Sequence, residues 1–205
     1  MMVLFASANA AHADTKDLVV GARAWRIIPR ESGPVNYYKV VDDPSGAYVH
    51  AEYEPGMKTS VLGVQIGDAD KHNMKKLRWT WRAVTLPNGG DECAKGKGDS
   101  AAVVYVTWKR GLRYHTLKYV WSAVGAKGST CDRKRNPFVA QDTIVLESGA
   151  PLGQWRTEEI DLAAEYRRHF GDEEVPDLVG VGIMTDGDQT HSASAADYGT
   201  FTLVR

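Results

Sequence analysis

Along most of the chain, apolar and polar residues alternate in steps of two, and the apolar positions favour β-branched and aromatic side chains. Side chains two apart on a strand share a face, so the pattern predicts half-buried strands. It places them near Val19–Ile28, Asn36–Val41, Ala47–Tyr53, Thr59–Ile66, Leu77–Val84, Ala102–Trp108, Tyr114–Trp121, Thr143–Glu147, Trp155–Glu159, Val179–Met184 and Gly199–Val204. Turn residues separate them at Asp43-Pro44-Ser45-Gly46, Glu54-Pro55-Gly56, Pro87-Asn88-Gly89-Gly90 and Lys109-Arg110-Gly111. Helical spacing is convincing over one segment. Leu162, Tyr166 and Phe170 share a face, Asp161 stands as the N-cap and Gly171 as the stop. A parallel α/β fold needs helices between its strands, and this sequence does not supply them. The strands are too many and too aromatic for one half-exposed sheet. The expected fold is therefore all-β, a two-sheet antiparallel sandwich of jelly-roll type with one short helix closing an end.

Composition narrows the setting. The 205 residues are 43% hydrophobic and 25% charged, which excludes collagen-like, coiled-coil and wholly disordered chains. Lys+Arg 25 against Asp+Glu 26 leaves a net charge of -1, so no whole-molecule field gathers nucleic acid. The basic runs Lys71 to Arg78, Lys95-Gly96-Lys97 and Arg133-Lys134-Arg135 lack interleaved aromatics and read as solvated loops, with no nucleic-acid partner expected. No stretch after the N-terminus is long and apolar enough to span a bilayer.

Residues 1–13 carry no charged side chain and end in Ala11-His12-Ala13, a small-x-small cleavage pattern just before Asp14. No basic n-region precedes the apolar run, so it reads as the remnant of a secretory signal from a longer precursor. The expectation is a single sandwich domain over 14–205, periplasmic or secreted. Cys93 and Cys131 lie in Gly/Lys-rich segments between predicted strands. In an oxidising compartment they are candidates for a disulfide, and otherwise they are two loop thiols.

A run of motifs carries a family resemblance: Leu77-Arg78-Trp79-Thr80-Trp81-Arg82, Asp99-Ser100-Ala101-Ala102 leading into Val104-Tyr105-Val106, and Tyr119-Val120-Trp121. It continues through Trp155 with Glu158, Tyr166-Arg167 with Phe170-Gly171, and Gly182-Ile183-Met184-Thr185-Asp186-Gly187-Asp188. Over roughly the last two thirds of the chain this resembles the bacterial family designated domain of unknown function 3047. Glu165 stands where the pattern has Asp, and Gly187 where it has a larger residue. The resemblance implies an exported protein of sandwich character and brings no activity with it.

Among candidate site residues, Asp186 and Asp188 follow a predicted strand end. There two carboxylates can converge on a hard cation or a sugar hydroxyl pair, or else cap a solvated turn. Calcium is the ion such a pair suits, although an EF-hand loop would have Gly where His191 stands. No other cofactor is expected. Asp99, before a strand, and Glu92, in a Gly-rich loop, approach the same region if the loops cluster at one end of the sandwich; as plain surface charges they would not. Gly98-Asp99-Ser100 is a poor nucleophile elbow, because a loop precedes it and a strand follows. The six histidines lack metal-ligand spacing.

Trp79 with Trp81, and Tyr119 with Trp121, share strand faces. Exposed, they would form a platform for sugar rings; buried, they are core, which is where large aromatics mostly lie. Arg78, Thr80 and Arg82 face the other way, as a solvated surface or a groove floor. Taken together the sequence points to an exported, non-enzymatic binding domain of galactose-binding-like fold, with an envelope glycan or other carbohydrate as ligand in a groove built from one sheet face and the loop at Asp186 and Asp188. The alternatives are a glycan-acting hydrolase or lyase using Asp186, Asp188 and Asp99, or a structural subunit of the cell envelope. Oligomeric state is not readable.

Overall fold

The computed structural model describes residues 16–27, 37–171 and 174–205. Residues 1–13, read above as a signal remnant, lie outside them, as do the ends of two predicted strands at Ile28 and Asn36. The strands in chain order are β1 (Leu18–Val20), β2 (Arg26–Ile27), β3 (Tyr38–Val41), β4 (Tyr48–Tyr53), β5 (Val61–Gln65), β6 (Lys76–Thr85) and β7 (Ala102–Arg110). They continue with β8 (Arg113–Ser122), β9 (Thr130–Arg135), β10 (Val139–Ser148), β11 (Arg156–Asp161), β12 (Asp177–Met184) and β13 (Ser194–Val204). Helix α1 (Leu162–Phe170) lies between β11 and β12.

The strands form two sheets. The first has the order β11-β6-β13-β4-β3, with β1 also paired to β13; the second has the order β2-β5-β12-β7-β8-β10-β9. Between them lies the alternate set of side chains that the period-two pattern marks as apolar. Trp79, Trp81, Trp121, Tyr119 and Phe201 are buried there, with Trp79 5.8 Å from Trp81 and 5.7 Å from Tyr119, and Trp81 5.9 Å from Trp121, ring centre to ring centre. These tryptophans are core, not platform. The expected two-sheet jelly-roll sandwich is the fold observed.

The helix forms where its local signals put it. Asp161 accepts a hydrogen bond from the Ala164 N–H at 2.8 Å, and Gly171 takes the left-handed conformation that ends the last turn. Leu162 and Tyr166 are buried, and Tyr166 packs against Trp108 at 5.4 Å, closing the end of the core reached by the C-terminal half of β7.

Four details depart from the sequence pattern. The first predicted strand is broken into β1 and β2 by a 3-10 turn at Ala22–Ala24. β9 was not expected: its residues Thr-Cys-Asp-Arg-Lys-Arg carry no apolar alternation, because it is an edge strand paired on one side. β13 begins five residues early, at Ser194, where small residues and a buried Asp197 hide the alternation. β8 and β10 run parallel, the exception among antiparallel pairs, because β10 inserts between β8 and β9 after the chain has crossed over at residues 123–129.

The outer face of the second sheet is partly covered. Val61, Met184, Val103, Val120 and Val145 lie abreast across five strands on that face, yet all are buried. The loop between β6 and β7 is tied down across this region. Ser122 Oγ donates to the Gly90 carbonyl at 3.0 Å, Glu92 pairs with Lys118 at 2.7 Å, and Cys93 is bonded to Cys131 of β9. The disulfide spans 38 residues of sequence. Closing a loop of that length constrains the unfolded chain by about 4 kcal/mol on the chain-entropy account. A Cys93→Ser, Cys131→Ser double variant should lose stability of this order in equilibrium denaturant unfolding. A loss under about 1 kcal/mol would show that the tie adds nothing beyond the loop's other bonds.

Candidate functional site

Two clusters of polar side chains stand out, and the expected site residues divide between them. The first lies at the rim where β7 begins and β12 ends. There Asp99, Asp186 and Asp188 bring carboxylate oxygens within 4.8 Å of one another. Asp99 is 0% exposed and Asp186 5%, whereas Asp188 is open to solvent.

Backbone geometry makes this meeting possible. The Asp186 N–H donates to the Ser100 carbonyl at 3.3 Å, and the Ser100 N–H donates to Asp186 Oδ1 at 3.1 Å, extending the β7–β12 pairing past the strand ends. Asp99 accepts the N–H groups of Gln189 at 3.3 Å and Thr190 at 2.6 Å, so it caps the turn that holds Asp188. Gly187 is required at its position, since a Cβ there would collide with the carbonyl of Ser192, whose N–H donates to the Gly187 carbonyl at 3.1 Å and closes the turn. His191, which stands where a calcium loop has glycine, is the described non-glycine residue with positive φ, at 52°.

Glu92 joins from the covering loop. It accepts from Ser100 Oγ at 3.0 Å and pairs with Lys118 of β8, both partners buried. The charges are unequal to the burial. Desolvation pushes Asp186 from the ordinary 3.8 up to about 8, with Glu92 and Asp99 adding to the rise and Lys118 and the Ser100 N–H opposing it. Burial works to lower the Lys118 ammonium, but the oxygens of Tyr105, Glu92 and Asp186 outweigh it and hold it upward. Asp188 is raised by partial burial and by the charge and hydrogen bond of Asp99 beside it. Three crowded carboxylates can share protons or hold one hard cation. Oxygens 4.8 Å apart or less fit around an ion with ligand distances of about 2.4 Å.

Arg82 is not part of this cluster. It lies on the outer face of the first sheet, where its Nε donates to Asp197 Oδ2 at 2.6 Å. Asp197, on β13, is paired in register with Arg82 of β6 on one side and His50 of β4 on the other. Its second oxygen meets His50 Nδ1 at 2.6 Å. The Arg82 guanidinium lies 4.6 Å from the Trp155 ring centre and 5.5 Å from that of Tyr48, and the two rings meet edge to face at 5.6 Å. Trp155 seats over Gly199, where a side chain would meet Thr80 and the indole itself. It remains 39% exposed. Tyr48, His50 and Asp197 were not anticipated, because only the strand order brings them to Arg82.

A sandwich of this jelly-roll architecture has counterparts among solved structures. The chain is similar in fold to the family 11 carbohydrate-binding module of the cellulosomal cellulase Lic26A-Cel5E of Clostridium thermocellum, at 10% identity and TM-score 0.50, covering 93% of this chain and 95% of that one. A weaker likeness is to the family GH12 endoglucanase 3 of Trichoderma harzianum, at 12% identity and TM-score 0.46, covering 95% and 100%. The chain belongs to the family described as protein of unknown function (DUF3047), whose model matches residues 24–202. No curated protein matches it by sequence.

The proton on Asp186 has a stability consequence. Its folded value lies above its unfolded one, so the stabilisation is full below the ordinary 3.8 and is lost as pH rises through about 8. Denaturation midpoints of the wild type should therefore fall between about pH 5 and about pH 8, and Asp186→Asn should flatten that fall. An equally steep decline in the variant would place the titrating group elsewhere.

Proposed function

We propose that this chain is an exported, non-enzymatic carbohydrate-binding domain, taking an envelope glycan or other saccharide on the outer face of its first sheet. One observation carries the reading: the exposed Trp155 ring and the half-buried Tyr48 ring flank an Arg82 guanidinium that Asp197 holds in place. An indole exposed on a polar sheet face offers an apolar plane to the C–H face of a pyranose, while Arg82, His50 and Thr80 border it with hydroxyl-binding groups. The fold shared with a module named for carbohydrate binding supports it. So does the Cys93–Cys131 bond, which suits an oxidising compartment, periplasmic or extracellular.

The rim carboxylates belong to the ends of β7 and β12 in the second sheet, not to this face. Asp99 and Asp186 are closed to solvent, so a glycosidic bond has no approach to them, which disfavours the hydrolase reading. Asp188 is the exposed member of the three.

The test is glycan-array screening followed by calorimetry, each with and without calcium. A saccharide ligand should emerge, and Trp155→Ala should weaken it at least about tenfold, equivalent to about 1.4 kcal/mol. Absence of binding to every envelope saccharide under both conditions would end the proposal.

A further inference from the structure

At the end of the second sheet opposite the carboxylate rim, two hairpin tips project side by side. β8 and β10 are parallel neighbours, so the β7–β8 turn and the β9–β10 turn come to the same end. They are joined there: the Tyr114 N–H donates to the Phe138 carbonyl at 2.8 Å, and Tyr114 is paired with Val139. The tips carry large apolar side chains in water. Leu112 is 79% exposed, Phe138 63% and Tyr114 41%.

Cations surround them. Residues 109–114 read Lys-Arg-Gly-Leu-Arg-Tyr and residues 133–138 read Arg-Lys-Arg-Asn-Pro-Phe, without one carboxylate in either stretch. Asp142, buried on β10, is taken by Arg135 at 2.6 Å, and Glu174 approaches Arg110 at 3.8 Å. Lys109 extends along the Tyr114 ring, its Nζ 5.1 Å from the ring centre. Lys109 and Arg113 add positive charge beside the tips.

Exposed leucine and aromatic tips inside a basic collar match an interface that is anionic at its surface and apolar just beneath. We propose that this end of the molecule docks on an anionic lipid surface, with Leu112 and Phe138 entering the acyl boundary and Lys109 and Arg113 meeting the headgroups. A nucleic acid or an acidic polysaccharide would use the cations alone and leave the two apolar tips in water. Both tips are turns of a disulfide-stapled sheet, so they enter preformed and little order is lost on docking. The proposal stands apart from carbohydrate binding, which engages the other sheet.

The experiment is co-sedimentation of the whole chain with vesicles of phosphatidylglycerol and phosphatidylcholine in equal parts, against vesicles of phosphatidylcholine alone. Binding should require the anionic lipid and weaken as salt is raised. Leu112→Ser with Phe138→Ser should lower partitioning by about tenfold or more. Lys109→Gln and Arg113→Gln together should lower it at low salt and flatten the salt dependence. Should the paired tip variant fail to fold by circular dichroism, Phe138→Ser alone serves, with a severalfold loss expected. The proposal is overturned if the chain ignores the mixed vesicles, or if the tip variants bind them as the wild type does. Equal retention of wild type and tip variants on heparin or duplex DNA, without vesicle binding, would assign the surface to polyanions instead.

Discussion

The two sheets are held together by a layer of aromatic side chains that only strict alternation can build. β6 sends Leu77, Trp79, Trp81 and Ala83 inward, and β8 meets them with Leu117, Tyr119 and Trp121. Slipping either strand by one residue would turn Arg78, Thr80 and Arg82 into the core and expose the indoles, so the register is strongly specified. Everything functional follows from this constraint. The residues it leaves outside on β6 become a polar surface, and the strand ends it aligns become two rims with different chemistry.

Those outer surfaces are used unequally. On the first sheet the outward residues stay open, and the buried carboxylate of Asp197 organises them by holding Arg82 and His50 from neighbouring strands. On the second sheet the row from Val61 to Val145 is apolar and buried, with Tyr105 packed against it. The β6–β7 loop delivers Glu92 to Lys118 on that face and leads directly into Asp99.

Much of this was legible in the residues. The helix was readable to its caps, since Asp161 and Gly171 act on groups within one turn. The central strands were readable because each has a wet and a dry face. β9 was not, because an edge strand of polar residues has no dry face to betray it. The grouping of Asp99, Asp186, Asp188 and Glu92 follows from the rule that loops at one end of a sandwich cluster, but their burial does not: Asp and Glu are ordinarily exposed, and the cover that desolvates them is held by bonds far apart in sequence. Arg82 was visible as an outward residue, whereas its partners depend on β13 lying between β6 and β4, which no local pattern encodes.

The bond between Cys93 and Cys131 reaches further than its own loop. It joins the β6–β7 loop, which runs into Asp99, to β9, the strand at the far edge of the second sheet. The approach to the carboxylate rim and the outermost strand thus share one covalent anchor.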